Sequence, residues 1–237
     1  MVEMRAGIPL YRHPVEDPPL WRRCLQSPDV SVLVVNVGSG PGSTPDAAYR
    51  DVLFDREDGR LPGSRVHGYV PMDYGRRAIA EIVADVRRWR DLYGVESIFL
   101  DCAPSAVTGT GVLDHPAAAS FERVVSAVRS TGASRVAANP GTLCHPALLD
   151  LCDAVCVREC DVETHLRLDS SGWLGDGDAG DVWHLIHGCR PDQVAAVVHR
   201  SRELGATLLG VSPGALPHPW GEVGWFGPTS RRAQHVR

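Results

Sequence analysis

The sequence predicts an α/β fold, a (β/α)8 barrel forming one domain over residues 1–237, with a doubly wound open sheet as the runner-up. Three observations carry this expectation. Short apolar runs alternate with amphipathic stretches, the pattern of βα units around a parallel sheet. Eight such runs fit the chain, and eight βα units are what a barrel of about 250 residues holds. Several runs, such as Val30-Ser-Val-Leu-Val-Val35, are almost wholly apolar, as strands covered on both faces are.

In chain order, strands are expected at 7–11, 30–36, 65–70, 97–101, 134–139, 154–159, 181–187 and 206–211. Helical periodicity occupies the intervals between them. Ile79, Ile82, Val83, Val86 and Trp89 step by three and four within 76–93. Phe121, Val124, Val125 and Val128 repeat the step, as do Val194, Val197 and Val198, so each helix has one face to bury. Asp114-His-Pro116 and Arg190-Pro191 mark helix starts, because proline in a first turn forfeits no hydrogen bond. The connection 160–180 is the least regular, and its glycine-rich half from residue 170 reads as a mobile loop.

Composition removes whole classes of function. All 24 basic residues are Arg and Lys is absent, which excludes Schiff-base chemistry, pyridoxal phosphate attachment, a P-loop lysine and a Ser-Lys dyad. The formal net charge of −5 offers no basic surface for nucleic acid. No run approaches the ~18 apolar residues of a membrane span, so no membrane partner is expected. Seven scattered Cys without a C-x-x-C read as free thiols. With no signal peptide in the sequence as written, the expected location is cytoplasmic, or secreted if the N-terminus is trimmed.

Function on a barrel sits at the C-terminal ends of the strands. Those ends read Tyr11, Asn36, Tyr69, Asp101, Asn139, Glu159, His187 and Ser212. Asp101 and Glu159 stand two strands apart, where two carboxylates can face each other across the mouth as glycosidic cleavage requires. The structural alternative is that each is paired with an Arg, Arg77 and Arg158 being the candidates. Competing motifs fail. In Gly210-Val-Ser-Pro-Gly214, Pro213 removes the N–H that should follow a nucleophilic serine, and in Gly38-Ser-Gly-Pro-Gly-Ser43 a serine stands at the third glycine of a dinucleotide loop. Cys152, Cys156 and Cys160 lack a fourth zinc ligand, and 176–181 lacks the ligand order of a calcium loop, so neither metal nor cofactor is expected.

The same strand ends resemble the spherulin-4-like (spherulation-specific family 4) proteins. Between about residues 8 and 211 the shared elements are Ile8-Pro-Leu-Tyr11, Trp21, Val35-Asn36 with Gly38-Ser-Gly-Pro-Gly42, Tyr49, Gly68-Tyr-Val70, Tyr74-Gly75 with Arg77, Ile98-Phe-Leu-Asp101, Asn139-Pro-Gly141, Glu159 and His187-Gly188. The resemblance implies a (β/α)8 glycoside hydrolase, related to fungal enzymes that cut α-1,4-linked galactosamine polymers, with catalytic carboxylates at Asp101 and Glu159 and an oligo- or polysaccharide substrate. Asn36, Asn139 and His187 would orient sugar hydroxyls, and Tyr11, Tyr69 and Tyr74 would offer aromatic faces, although core packing is an equal reading for the tyrosines. Arg77 and Cys102 complete the expected binding set. Cys102 stands where the family has a second acid. It keeps two alternatives open, a catalytically degenerate barrel that binds a glycan or other ligand and a thiol-dependent enzyme using Cys102 with a base such as His187.

Overall fold

A computed structural model of the chain describes residues 3–54, 65–108, 111–168 and 180–228. Eight parallel strands close into a barrel in chain order: β1 (Arg5–Leu10), β2 (Val30–Val35), β3 (Val66–Pro71), β4 (Ser97–Asp101), β5 (Arg135–Asn139), β6 (Ala154–Asp161), β7 (Asp181–His187) and β8 (Leu208–Val211). Each expected strand is present, with its ends within two residues of those predicted. Pairing of β1 with β8 excludes the open-sheet alternative.

Helices occupy the outside: α1 (Pro18–Gln26), α2 (Ala47–Phe54), α3 (Ile79–Tyr93), α4 (His115–Arg129), α5 (Val162–Arg167) and α6 (Val194–Glu203). Local chemistry sets their ends. Asp114 accepts from the Ala117 N–H at 3.1 Å to cap α4 with Pro116 in its first turn, and Gly94 closes α3 at φ 64°, a conformation that glycine adopts without strain. Two expectations shift. α6 begins at Val194, because Arg190 and Pro191 belong to the turn before it. α5 lies inside the connection predicted to be irregular; six residues are too few to establish a helical period, and Asp161 starts it by accepting from the Thr164 N–H. The predicted loop from residue 170 falls, except for Gly180, outside the described residues.

Two apolar layers result. Val32, Val34, Phe99, Ala137, Cys156, Trp183, Leu185 and Leu208 fill the barrel interior, while the larger cluster packs the outer strand faces against the helices. Trp183 fits inside because Gly7 faces it, and a Cβ at Gly7 would lie 2.6 Å from the indole. Trp89 likewise packs on Gly68 from outside and donates its indole N–H to the Tyr69 carbonyl at 2.8 Å. Among the described residues no helix is long and apolar enough to cross a membrane.

Three of the buried histidines, His67, His165 and His184, lie within this framework away from the barrel mouth. Burial pushes His67 and His165 down to about 4 and His184 to about 3. Both ring nitrogens of His184 lack a hydrogen-bond partner among the described residues.

The histidines and Gly7 generate two expected outcomes. In the unfolded chain the imidazoles titrate near 6.5, so between that value and about 4 the unfolded state binds more protons and stability is lost as pH falls. Urea unfolding at pH 5.0 should therefore have a lower midpoint than at pH 7.5, with a smaller difference in His184→Leu. Gly7→Ala should lose about 1 to 3 kcal/mol by displacing Trp183, measured by the same method.

Candidate active site

Alternation along each strand aims Asn36, Tyr69, Asp101 and Asn139 from the strand ends toward the barrel mouth, continuing the rows that carry Val34, Phe99 and Ala137 into the interior. β6 would break this pattern if it were regular. Ala154 and Cys156 point inward, so unbroken alternation would aim Arg158 into the barrel and Glu159 out of it. A β-bulge prevents this: Cys156 pairs with Trp183 and Arg158 with His184, which leaves Val157 as an extra residue. Val157 joins the outer core, Arg158 faces the His165 and His184 side, and Glu159 lines the mouth. The Cys156 thiol donates to the Arg158 carbonyl at 3.3 Å across the bulge.

The mouth is a cleft of about 510 Å³. At its centre one amide serves both carboxylates: Asn139 Nδ2 donates to Asp101 Oδ1 at 2.9 Å and to Glu159 Oε2 at 2.7 Å. Sharing that nitrogen keeps the two oxygens within about 5.6 Å of each other. The Gly141 N–H donates to Asn139 Oδ1 at 2.8 Å and so orients the amide. Tyr69 Oη donates to Asp101 Oδ2 at 2.8 Å, and the Cys102 thiol approaches the same oxygen at 3.6 Å. Trp220 Nε1 donates to Glu159 Oε1 at 3.1 Å. Neither carboxylate forms a salt bridge with an Arg among the described residues.

Burial, reinforced by the Asp101 charge, raises the Glu159 pKa, while the Asn139 and Trp220 donors and His187 pull it down. Tyr11 and Tyr69 are raised well above ordinary phenols, first by burial and then by the carboxylates, so both remain neutral hydroxyls.

Most of the predicted residues converge here. Tyr11, Asn36, Asp101, Asn139 and Glu159 line the cleft; Asn36 is held by the Gly40 N–H at 2.9 Å, and Tyr11 meets Tyr69 edge to face at 5.8 Å. His187 is buried against Trp220, ring centres 6.3 Å apart, behind the cleft surface. Tyr74 is exposed beyond the lining, with its hydroxyl bonded to the Cys102 sulfur. Arg77 stands apart from the cleft: its guanidinium binds the buried Asp85 carboxylate and the Pro71 carbonyl, which corrects its expected role in the site. Cys102 lies beside Asp101 with φ 51°, but burial and the neighbouring carboxylates push its thiol up to about 11, opposite to what a thiol nucleophile needs. Ser212, the serine of the rejected elbow motif, is buried with its hydroxyl on the Pro219 carbonyl. Cys156 and Cys160 lie on opposite faces of β6, and among the described residues no group of three His, Cys, Asp or Glu is arranged to hold a metal.

Sequence reasoning missed Trp220, His218, Ser39 and the interior Phe99, all of which line the cleft. The available signal was position: a tryptophan and a histidine among prolines directly after the last strand, at the functional end of a barrel.

Residues 6–211 match the model of the family described as Spherulation-specific family 4. Spherulin-4 of Physarum polycephalum is 25% identical over 146 residues, an alignment that takes in 60% of this chain and 40% of that protein. The chain thus spans well under two thirds of that relative's length. A crystal structure of Aspergillus clavatus Sph3 in complex with GalNAc superposes with a TM-score of 0.73 at 23% identity, covering 96% of this chain and 94% of that one, a likeness of fold.

The shared amide generates a prediction with a pH signature. Its donors favour the charged carboxylates, so Asn139→Ala should lose about 1 to 3 kcal/mol at pH 7.5 and less at pH 4.5, where Glu159 holds its proton. Urea unfolding of both proteins at the two pH values measures this. A deficit independent of pH would mean that Asn139 contributes packing alone.

Proposed function

The chain belongs to the spherulation-specific family 4, and from that premise we propose that it is a glycoside hydrolase acting on an amino-sugar-containing glycan, with Glu159 as general acid/base and Asp101 as nucleophile. The observation that carries this reading is the carboxylate pair held by one amide nitrogen. A separation of about 5 to 5.5 Å between carboxyl groups fits retention of configuration, and the close approach of these two favours it over inversion, which needs about 6.5 to 9.5 Å to admit water.

The steps balance on these groups. Protonated Glu159 gives its proton to the glycosidic oxygen as the C1–O bond breaks, and an Asp101 oxygen bonds to C1. Glu159, now ionised, takes a proton from water as the water oxygen attacks C1 and the ester to Asp101 breaks. Product leaves with both groups restored. The environments suit this division: burial favours the protonated acid at Glu159, whereas Asp101 accepts from Asn139, Tyr69 and Cys102. The two carboxylates have no Arg beside them in the cleft lining, which favours a cationic or neutral sugar over an acidic one. The GalNAc bound by Sph3 supports an amino-sugar ligand. Asn36 and Tyr11 are the nearest candidates for contacts to it.

A second reading is a barrel that binds such a glycan without cleaving it. It is favoured by Cys102, which occupies the position of the family's second acid with its backbone in the left-handed region.

Glu159→Gln should reduce turnover of a galactosamine oligomer by on the order of 10²- to 10⁴-fold, and Asp101→Asn at least as much, with unfolding midpoints near that of the parent. Since Glu159 must begin protonated, kcat/KM should fall as pH rises through a midpoint above the ordinary 4.5. Proton NMR of the first-formed product should find the anomeric configuration of the substrate. Calorimetric binding with no product by mass spectrometry would favour the second reading, and unchanged cleavage by both variants would sink the assignment.

A further inference from the structure

On the hydrolase reading, we propose that Trp220 is a positioning residue for Glu159, so that the segment following β8, beyond the family-matched 6–211, is part of the catalytic apparatus. Among the described residues Glu159 has two side-chain donors. Asn139 takes one oxygen at 2.7 Å and Trp220 takes the other at 3.1 Å. One bond alone leaves the carboxyl free to rotate about its terminal torsion. Two bonds, one on each oxygen, fix its plane and leave the remaining lone pairs as the route by which a proton reaches the cleft.

Trp220 is itself held. Its carbonyl accepts from the Tyr11 N–H at 2.9 Å, the Gly221 carbonyl accepts from Arg12 Nε at 2.8 Å, and the Pro219 carbonyl accepts from the Ser212 hydroxyl. The indole is buried against the His187 ring. Three consecutive backbone carbonyls are therefore tied to the residues that directly follow β1 and β8, and the N–H reaches Glu159 without the entropy cost of a free loop. The two donors also differ in scope. Asn139 serves both carboxylates, whereas the indole N–H contacts Glu159 alone, which makes Trp220 the handle that alters the acid/base without touching the nucleophile.

The titratable groups that interact with Glu159 or share its cleft lining are Asp101 on β4, Cys102 after it, Tyr11 after β1, Tyr69 on β3, Tyr74 after it, Cys156 and Cys160 on β6, His187 on β7 and His218 after β8. A test must separate the indole from all of these. Protein labelled with ¹³C at glutamate carboxyls, with Glu159→Gln for assignment, reports the Glu159 titration directly. Trp220→Phe keeps an apolar ring and removes the N–H; the Glu159 transition should rise by roughly one pH unit. An unchanged transition in a folded Trp220→Phe would overturn the proposal. The wild-type protein gives an independent readout if that variant does not fold: the Trp220 indole N–H resonance should move with the Glu159 transition and lose that step in Glu159→Gln. A step that persists in Glu159→Gln belongs to another group and also overturns it. With a cleaved glycan, the high-pH limb of kcat/KM should move up in Trp220→Phe by the same interval while kcat falls. Absence of any cleavage by the wild type would count against the hydrolase reading, and the two NMR measurements would still decide whether Trp220 controls Glu159.

Discussion

Two carboxylates of like charge share one buried amide nitrogen, and the rest of the mouth is arranged around that fact. With two of their oxygens within about 5.6 Å and no Arg paired with either among the described residues, Asp101 and Glu159 would repel and lose hydration together. Neutral donors offset this. Asn139 bridges them, Tyr69 and Cys102 serve Asp101, and Trp220 serves Glu159. Each such bond to a charged group contributes about 1.5 to 3 kcal/mol, enough to hold the pair without neutralising it as an Arg would. The amide can bridge because β5 lies between β4 and β6, with Asn139 in register with Asp101.

The barrel supplies rigidity beneath this arrangement. Trp183 and Phe99 meet at 5.5 Å and plug the interior, so the polar cluster rests on a packed apolar floor. Backbone strain gathers at the rim above it. Ser39, Asp73, Tyr74 and Cys102 all adopt positive φ without being glycine, a conformation that costs of order 1 kcal/mol or more for each. Asp73 and Tyr74 are held there by the bond from the Tyr74 N–H to the Cys102 carbonyl and by the Arg76–Asp73 pair. The loops after β3 and β4 thus constrain each other beside Asp101.

Much of this was legible from residue types. Polar groups ending apolar runs located Tyr11, Asn36, Asp101 and Asn139, because a barrel strand has only its C-terminal end to spend on function. Reading failed where a side chain had a choice of partners. Arg77 carries a family-like signature, yet Asp85, one turn or more away on α3, captures it outside the cleft. Cys102 was legible as a candidate group, but its surroundings were not: burial and the neighbouring Asp101 push its thiol up to about 11, the opposite of what a thiol nucleophile needs. α5 escaped notice because its stability comes from a cap and from packing rather than from a repeat.

By itself the sequence determined the barrel and the family, since these follow from periodicity and motif order. Tertiary structure decided which way Glu159 points. Period-two alternation is a local rule, and on β6 it would direct Arg158 inward; the extra residue at Val157 arises only when that strand pairs with β7. The second donor to Glu159 was likewise settled by closure of the fold. Trp220 lies 61 residues away along the chain and reaches the carboxylate because the last strand returns beside the first, where Tyr11 and Arg12 fasten the segment that carries the indole.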